Sequence, residues 1–106
     1  MAFDTTADPQ FLGSNGYTVD ASVTTGDEIN GYVFPGIPDG IGAFALDNDT
    51  VRFIVNHEFN DDDGYLYPLN PGTPDELLLS GTRMSFIDVN KQTFLVEDAG
   101  LAYDRA

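Results

Sequence analysis

Ile37-Pro38-Asp39-Gly40-Ile41-Gly42-Ala43-Phe44-Ala45-Leu46, then Asp47-Asn48-Asp49-Thr50, then Val51-Arg52-Phe53-Ile54-Val55-Asn56-His57-Glu58-Phe59 is the run on which the fold turns. A Gly/Pro turn opens it. Two strand-like segments, Ile41–Leu46 and Val51–His57, flank an Asp/Asn-rich connection and predict an antiparallel hairpin. The run ends in Asn56, His57 and Glu58, and His57 is the single histidine of the chain.

A second hairpin is expected from Arg83–Val89 and Gln92–Asp98 around Asn90-Lys91, with Asn tolerating the positive φ of a two-residue turn. Thr50-Val51-Arg52-Phe53-Ile54-Val55 recurs loosely, about 43 residues on, as Thr93-Phe94-Leu95-Val96. Short antiparallel strands at a period of roughly 40–45 residues match the spacing of propeller blades. Outside the hairpins, residues 1–15 read as a polar N-terminal arm. The alternating, β-branched Tyr17–Thr25 reads as a strand, and Gly31–Gly42 as a shaped loop dense in Gly and Pro. The insertion Phe59–Thr82 starts with an acidic turn, Asp61-Asp62-Asp63. It continues into Thr73-Pro74-Asp75-Glu76, a capping-box pattern that predicts at most a short helix to Leu79. The fold class is therefore all-β: antiparallel hairpins of a partial β-propeller, about one blade and part of a second, over residues 16–106.

Composition narrows the function. The 106 residues carry 18 acidic against 4 basic side chains, a net charge of −14. That field disfavours nucleic acid and anionic membranes and suits divalent cations, which take oxygen ligands. Fourteen of the acids are Asp, a residue of turns and caps, so much of the charge belongs to loops. A solvated or salt-adapted surface accounts for the charge equally well. No cysteine is present, which removes disulfides and thiolate metal sites. No run is long enough to span a bilayer, and the first residues lack the features of a signal peptide.

Strand alternation places Val51, Phe53, Val55 and His57 on one face of the sheet and Arg52, Ile54, Asn56 and Glu58 on the other. Asn56 and Glu58 then leave the strand end together as two oxygen donors. Asp39, across the hairpin, reaches the same end, so Glu58, Asn56 and Asp39 are the candidate metal ligands, with an Asx turn the simpler role for Asp39. His57 points away from them and either braces the site by hydrogen bonding or packs in the core. The Asp61–Asp63 run fails the EF-hand register and reads as a solvated loop. Arg52 and Arg83 are the plausible anion clamps, although Arg83 also suits a surface position.

Gly36-Ile37-Pro38-Asp39-Gly40-Ile41-Gly42-Ala43-Phe44, Val51–Glu58, Ser80-Gly81-Thr82-Arg83-Met84-Ser85 and Asp98-Ala99-Gly100-Leu101-Ala102-Tyr103-Asp104-Arg105 together resemble the N-terminal part of PhoX-type alkaline phosphatases and related secreted β-propeller proteins. The resemblance runs from about Gly16 onward. It implies a longer propeller with calcium and iron at one end of its channel, hydrolysing phosphate monoesters outside the cell or in the periplasm. Glu58 is the ligand it carries over first, with Asn56 nearby and Asp39 after them. The cysteine that this family uses at iron has no counterpart here. On this reading the remaining blades complete the site, the chain alone is inactive, and its unpaired strand edges favour self-association. A non-catalytic calcium-binding or scaffold propeller is the alternative.

Overall fold

A computed structural model of the protein describes residues 2–106. It is all-β: every element is a strand, every sheet is antiparallel, and none closes on itself. The elements are β1 (Glu28–Ile29), β2 (Tyr32–Val33), β3 (Pro38–Ala45), β4 (Thr50–His57), β5 (Tyr67–Leu69), β6 (Leu77–Leu79), β7 (Arg83–Asn90) and β8 (Val96–Leu101). Both expected hairpins join one four-stranded sheet in the order β3-β4-β7-β8. β1-β2 and β5-β6 form two small ribbons beside it. Among the described residues no helix is long and apolar enough to cross a membrane.

Three local expectations are corrected, besides the Gly31–Gly42 loop, which holds β2 and the start of β3. Tyr17–Thr25 is not a strand: its β-branched residues find no sheet neighbour, and Thr24 instead accepts a backbone bond from Asp27 and donates to the Asp27 carboxylate. Thr73–Leu79 is not helical. Glu76 N–H bonds to Thr73 O in a single turn, after which Leu77–Leu79 pairs with Tyr67–Leu69. The third correction is the β7–β8 connection, which is wider than two residues. Asn90 Oδ1 accepts the amides of Gln92 and Thr93, Phe94 takes φ 60°, and β8 begins only at Val96. That side chain supplies an Asx-type turn, which the backbone prefers to a tight Asn-Lys hairpin.

Alternation organises the large sheet. Phe53, Val55 and His57 of β4 share a face with Arg83, Ser85 and Ile87 of β7, since cross-strand partners point the same way. The core lies on this face: Ile29, Phe34, Val55, Ile87, Val96 and Ala99 are buried against one another. Each such burial stabilises by roughly 1.5–3 kcal/mol for the larger side chains. The opposite face is held by Arg52, which grips Asp88 through two bonds of 2.8 and 2.9 Å and lies over the Phe86 ring at 4.2 Å. Phe86 faces Gly100, where a Cβ would meet the ring at 2.9 Å. Glycine is needed there for the ring to cross β8.

The two edges of the sheet differ. β8 is flanked by Phe3, which exchanges backbone bonds with Val96, and by Asn30 of the β1–β2 turn, which donates to Glu97 O and the Asp98 carboxylate. Among the described residues β3 has no neighbour on its outer side, and all eight of its residues are exposed.

Candidate functional site

The polar residues converge where β3 starts, β4 ends and β7 starts. A β-bulge shapes this corner. Pro38 pairs with His57 and Ile41 with Val55, so Asp39 and Gly40 together face Asn56. Glu58 N–H bonds to Ile37 O and prolongs the pairing by one residue. The backbone thereby brings Asp39, Asn56 and Glu58 to one end of the sheet. Asp39 and Glu58 are exposed and Asn56 is partly buried. Among the described residues, none of the three side chains makes a hydrogen bond or ion pair, which leaves their oxygens free.

This donor set has the hard oxygen chemistry of a calcium site, and its three residues supply fewer than the six to eight oxygens such an ion takes. Among the described residues no group of three or more His, Cys, Asp or Glu stands close enough to hold a metal. These 106 residues contain no cysteine to supply the thiolate that the resembled family uses at iron. Asp61, Asp62 and Asp63 are exposed, with Asp63 closing a turn back to the Asn60 amide.

On the other face of the same corner lies a buried polar chain. His57 is fully buried. Its Nδ1–H donates to Gly36 O at 2.9 Å, which leaves Nε2 as the acceptor for the Ser85 hydroxyl at 2.7 Å. Ser85 Oγ in turn meets the Tyr32 hydroxyl at 2.6 Å, and since the serine proton is committed to His57, the tyrosine donates. Burial holds His57 below its usual pKa, more than the Gly36 bond raises it, and the Arg83 charge lowers it further. Burial likewise raises the Tyr32 hydroxyl well above the ordinary range. The imidazole is therefore neutral at pH 7, with both nitrogens occupied. A Ser–His pair of this kind resembles a nucleophile and base, yet Ser85 and His57 are both fully buried, so no substrate reaches them.

Arg83, directly across from His57, corrects the clamp and surface readings of that residue. It is fully buried, and Nε donates to Gly81 O at 3.0 Å. Among the described residues its two terminal nitrogens have no hydrogen-bond partner. Three rings surround the guanidinium instead: Tyr67 at 4.5 Å, Tyr65 at 4.7 Å and Phe59 at 5.2 Å from the centroids. Gly64 closes the cage, and a Cβ there would come within 2.8 Å of the guanidinium. Each desolvated cation–π contact contributes up to about 2 kcal/mol, which offsets the missing counter-ion. Phe59, Tyr65 and Tyr67 all lie in the long insertion, so the cage ties that insertion to the sheet.

Sequence reasoning missed this cage, and the signal was the spacing Phe59, Tyr65, Tyr67 opposite an Arg-x-Ser strand start. It did place Asn56 and Glu58 at the strand end and His57 away from them. Compared with known proteins, the chain matches no family model, no curated protein and no solved structure.

Proposed function

We propose that this chain is part of a secreted, phosphatase-like β-propeller, in which Glu58, Asn56 and Asp39 contribute oxygens to a calcium ion and no residue of the chain serves as catalytic acid or base. One observation carries the reading: the bulge at Asp39-Gly40 faces Asn56 beside Glu58, so three residues with unpaired oxygen donors share one sheet end in a molecule of net charge −14. A four-stranded antiparallel sheet with one bare edge is also the form of a propeller blade. Further oxygens and the phosphate-ester chemistry belong, on this reading, to other blades. The calcium would neutralise the carboxylates and polarise a phosphoryl oxygen.

The seclusion of His57 and Ser85 fits a second reading equally, a calcium-binding or scaffold propeller without catalysis. Titration of the 106-residue chain with a luminescent lanthanide as calcium analogue tests the site itself. Glu58→Gln should weaken binding at least about tenfold, or 1.4 kcal/mol. Equal binding by the variant would remove Glu58 from the site. Phosphomonoester hydrolysis by a longer protein containing this sheet separates the two readings: turnover lost together with metal in Glu58→Gln supports the first, and metal binding without turnover the second.

A further inference from the structure

We infer that the outer edge of β3 is a docking site for an extended, basic polypeptide segment of another chain, which adds to the large sheet as a fifth strand. The inference does not rest on the calcium reading, although the two share Asp39 near the start of β3.

The edge is chemically ready. Leu46 N–H donates to Thr50 O at 2.9 Å, which makes that pair a hydrogen-bonded one. Alternation along an antiparallel ladder makes Phe44–Arg52 and Gly42–Ile54 the next bonded pairs. Ile41, Ala43 and Ala45 therefore direct their N–H and C=O groups outward, toward an incoming strand. Eight residues at about 3.3 Å each offer an edge of roughly 26 Å. Natural sheets blunt such edges with Lys, Pro or covering elements. This one has Pro38 and Asp39 only at its first two positions, whereas β8 is covered by Phe3.

Beside the edge, the core face opens into a mostly apolar groove of about 720 Å³ that Ile41, Phe53, Val55 and Ile87 of the sheet line together with Phe11 and Val23 of the segment before β1. An added strand would hang alternate side chains over it. That requires apolar residues at every second position of the partner.

Charge decides the occupant. Asp39 is the second residue of the strand, Asp47 and Asp49 sit in the turn after it, and Asp20 lines the groove. Of the four basic residues only Lys91 stands beside them, one positive charge at the turn against four carboxylates. Arg52 is paired with Asp88, Arg83 is buried, Arg105 lies beside Asp104, and the Lys91 ammonium bonds to Asp47 O. A second copy of this chain would bring another −14 to the interface. A strand with Lys or Arg at its ends and small apolar residues between them complements both the acidic flanks and the neutral middle.

The test uses a peptide of about nine residues, alternating Val and Thr between paired terminal lysines, and a twin with glutamates in place of the lysines. The lysine peptide should bind the 106-residue chain with a Kd on the order of 10 μM, shift the amide resonances of Ile41, Ala43 and Ala45, and weaken at least about fivefold between about 50 and 500 mM NaCl. The glutamate twin should not bind. Ala43→Pro removes an outward amide and no β3–β4 bond, so it should abolish binding while the remaining amide spectrum stays folded. Phe44→Thr serves as a second variant if proline unfolds the edge, and should preserve the resonance shifts, since Phe44 lies on the face away from the groove. Absence of binding, shifts located elsewhere, equal affinity for the glutamate twin, or a dimer formed through β3 without peptide would each overturn the inference.

Discussion

The corner around His57 and the edge of β3 belong to the same sheet and could hardly be treated more differently. At the corner, His57, Ser85 and Arg83 are fully buried, the first two satisfied by hydrogen bonds and the third by rings. Along β3 all eight residues are exposed, and the outward backbone groups have no partner within the sheet. Polar residues in a sequence suggest chemistry, yet here the most reactive-looking ones are structural. The plain Gly/Ala-rich strand is the accessible one. What separates the two regions is desolvation: groups shut away from water govern stability, and groups left in it govern recognition.

The sharpest way to break that contrast is Arg83. Arg83→Ala should leave a void beneath Phe59, Tyr65 and Tyr67 and destabilise by about 3–4 kcal/mol, as large-to-small core changes do. Arg83→Met fills much of the same space and removes a buried charge that has no counter-ion. It should lie within about 1 kcal/mol of the parent, on either side. Urea unfolding of the two variants measures the difference. Should Met cost as much as Ala, the positive charge itself is indispensable, and the corner is an electrostatic site instead of a packed one.

A smaller effect comes from His57. Its folded pKa is depressed by burial, so between the ordinary value near 6.5 and the lower folded value the unfolded chain binds a proton that the native one refuses. Stability from the neutral ring is complete above about pH 6.5 and is lost as pH falls through that window, by up to roughly 1.4 kcal/mol per pH unit. Carboxylates titrate mostly below about pH 5, which keeps the window between pH 6.5 and 5 readable. As the sole histidine, His57 gives one unambiguous imidazole signal in an NMR titration. It should remain neutral below pH 6.5, and His57→Gln should flatten the stability profile. An imidazole titrating at its ordinary value would mean that the corner opens to water.

The sequence disclosed the contrast only in part, for physical reasons. β3–β4 was legible because Val51, Phe53, Val55 and His57 alternate with Arg52, Ile54 and Asn56 across a short turn, so local pattern and pairing agree. The pairing of β4 with β7 joins segments separated by the whole β5–β6 insertion, and nothing local sets His57 opposite Arg83. Arg83 consequently read as a clamp or a surface charge. Tyr17–Thr25 has the composition of a strand, but a strand needs a neighbour, and none is offered to it. Thr73-Pro74-Asp75-Glu76 carried the start of a helix, whereas Leu77–Leu79 gained more from pairing with Tyr67–Leu69 than from continuing it. Propensity is a weak prior wherever a nonlocal partner competes.

The edge supplies the smallest effect, and it tests the other half of the contrast. Ala45 is exposed at the end of β3, with its backbone groups directed outward and no core contact to lose. Ala45→Lys should change stability by no more than about 0.5 kcal/mol, the usual range for surface sites. A lysine there also relieves a little of the −14 self-repulsion, so the change should lean toward stabilisation at low salt and vanish at high salt. Thermal unfolding at two salt concentrations reads both. A loss of more than about 1 kcal/mol would show that Ala45 is packed, and therefore that something already covers the edge in solution. In that event the exposed edge and the buried corner would no longer be opposites, and the β3 strand would belong with the residues that hold the fold together.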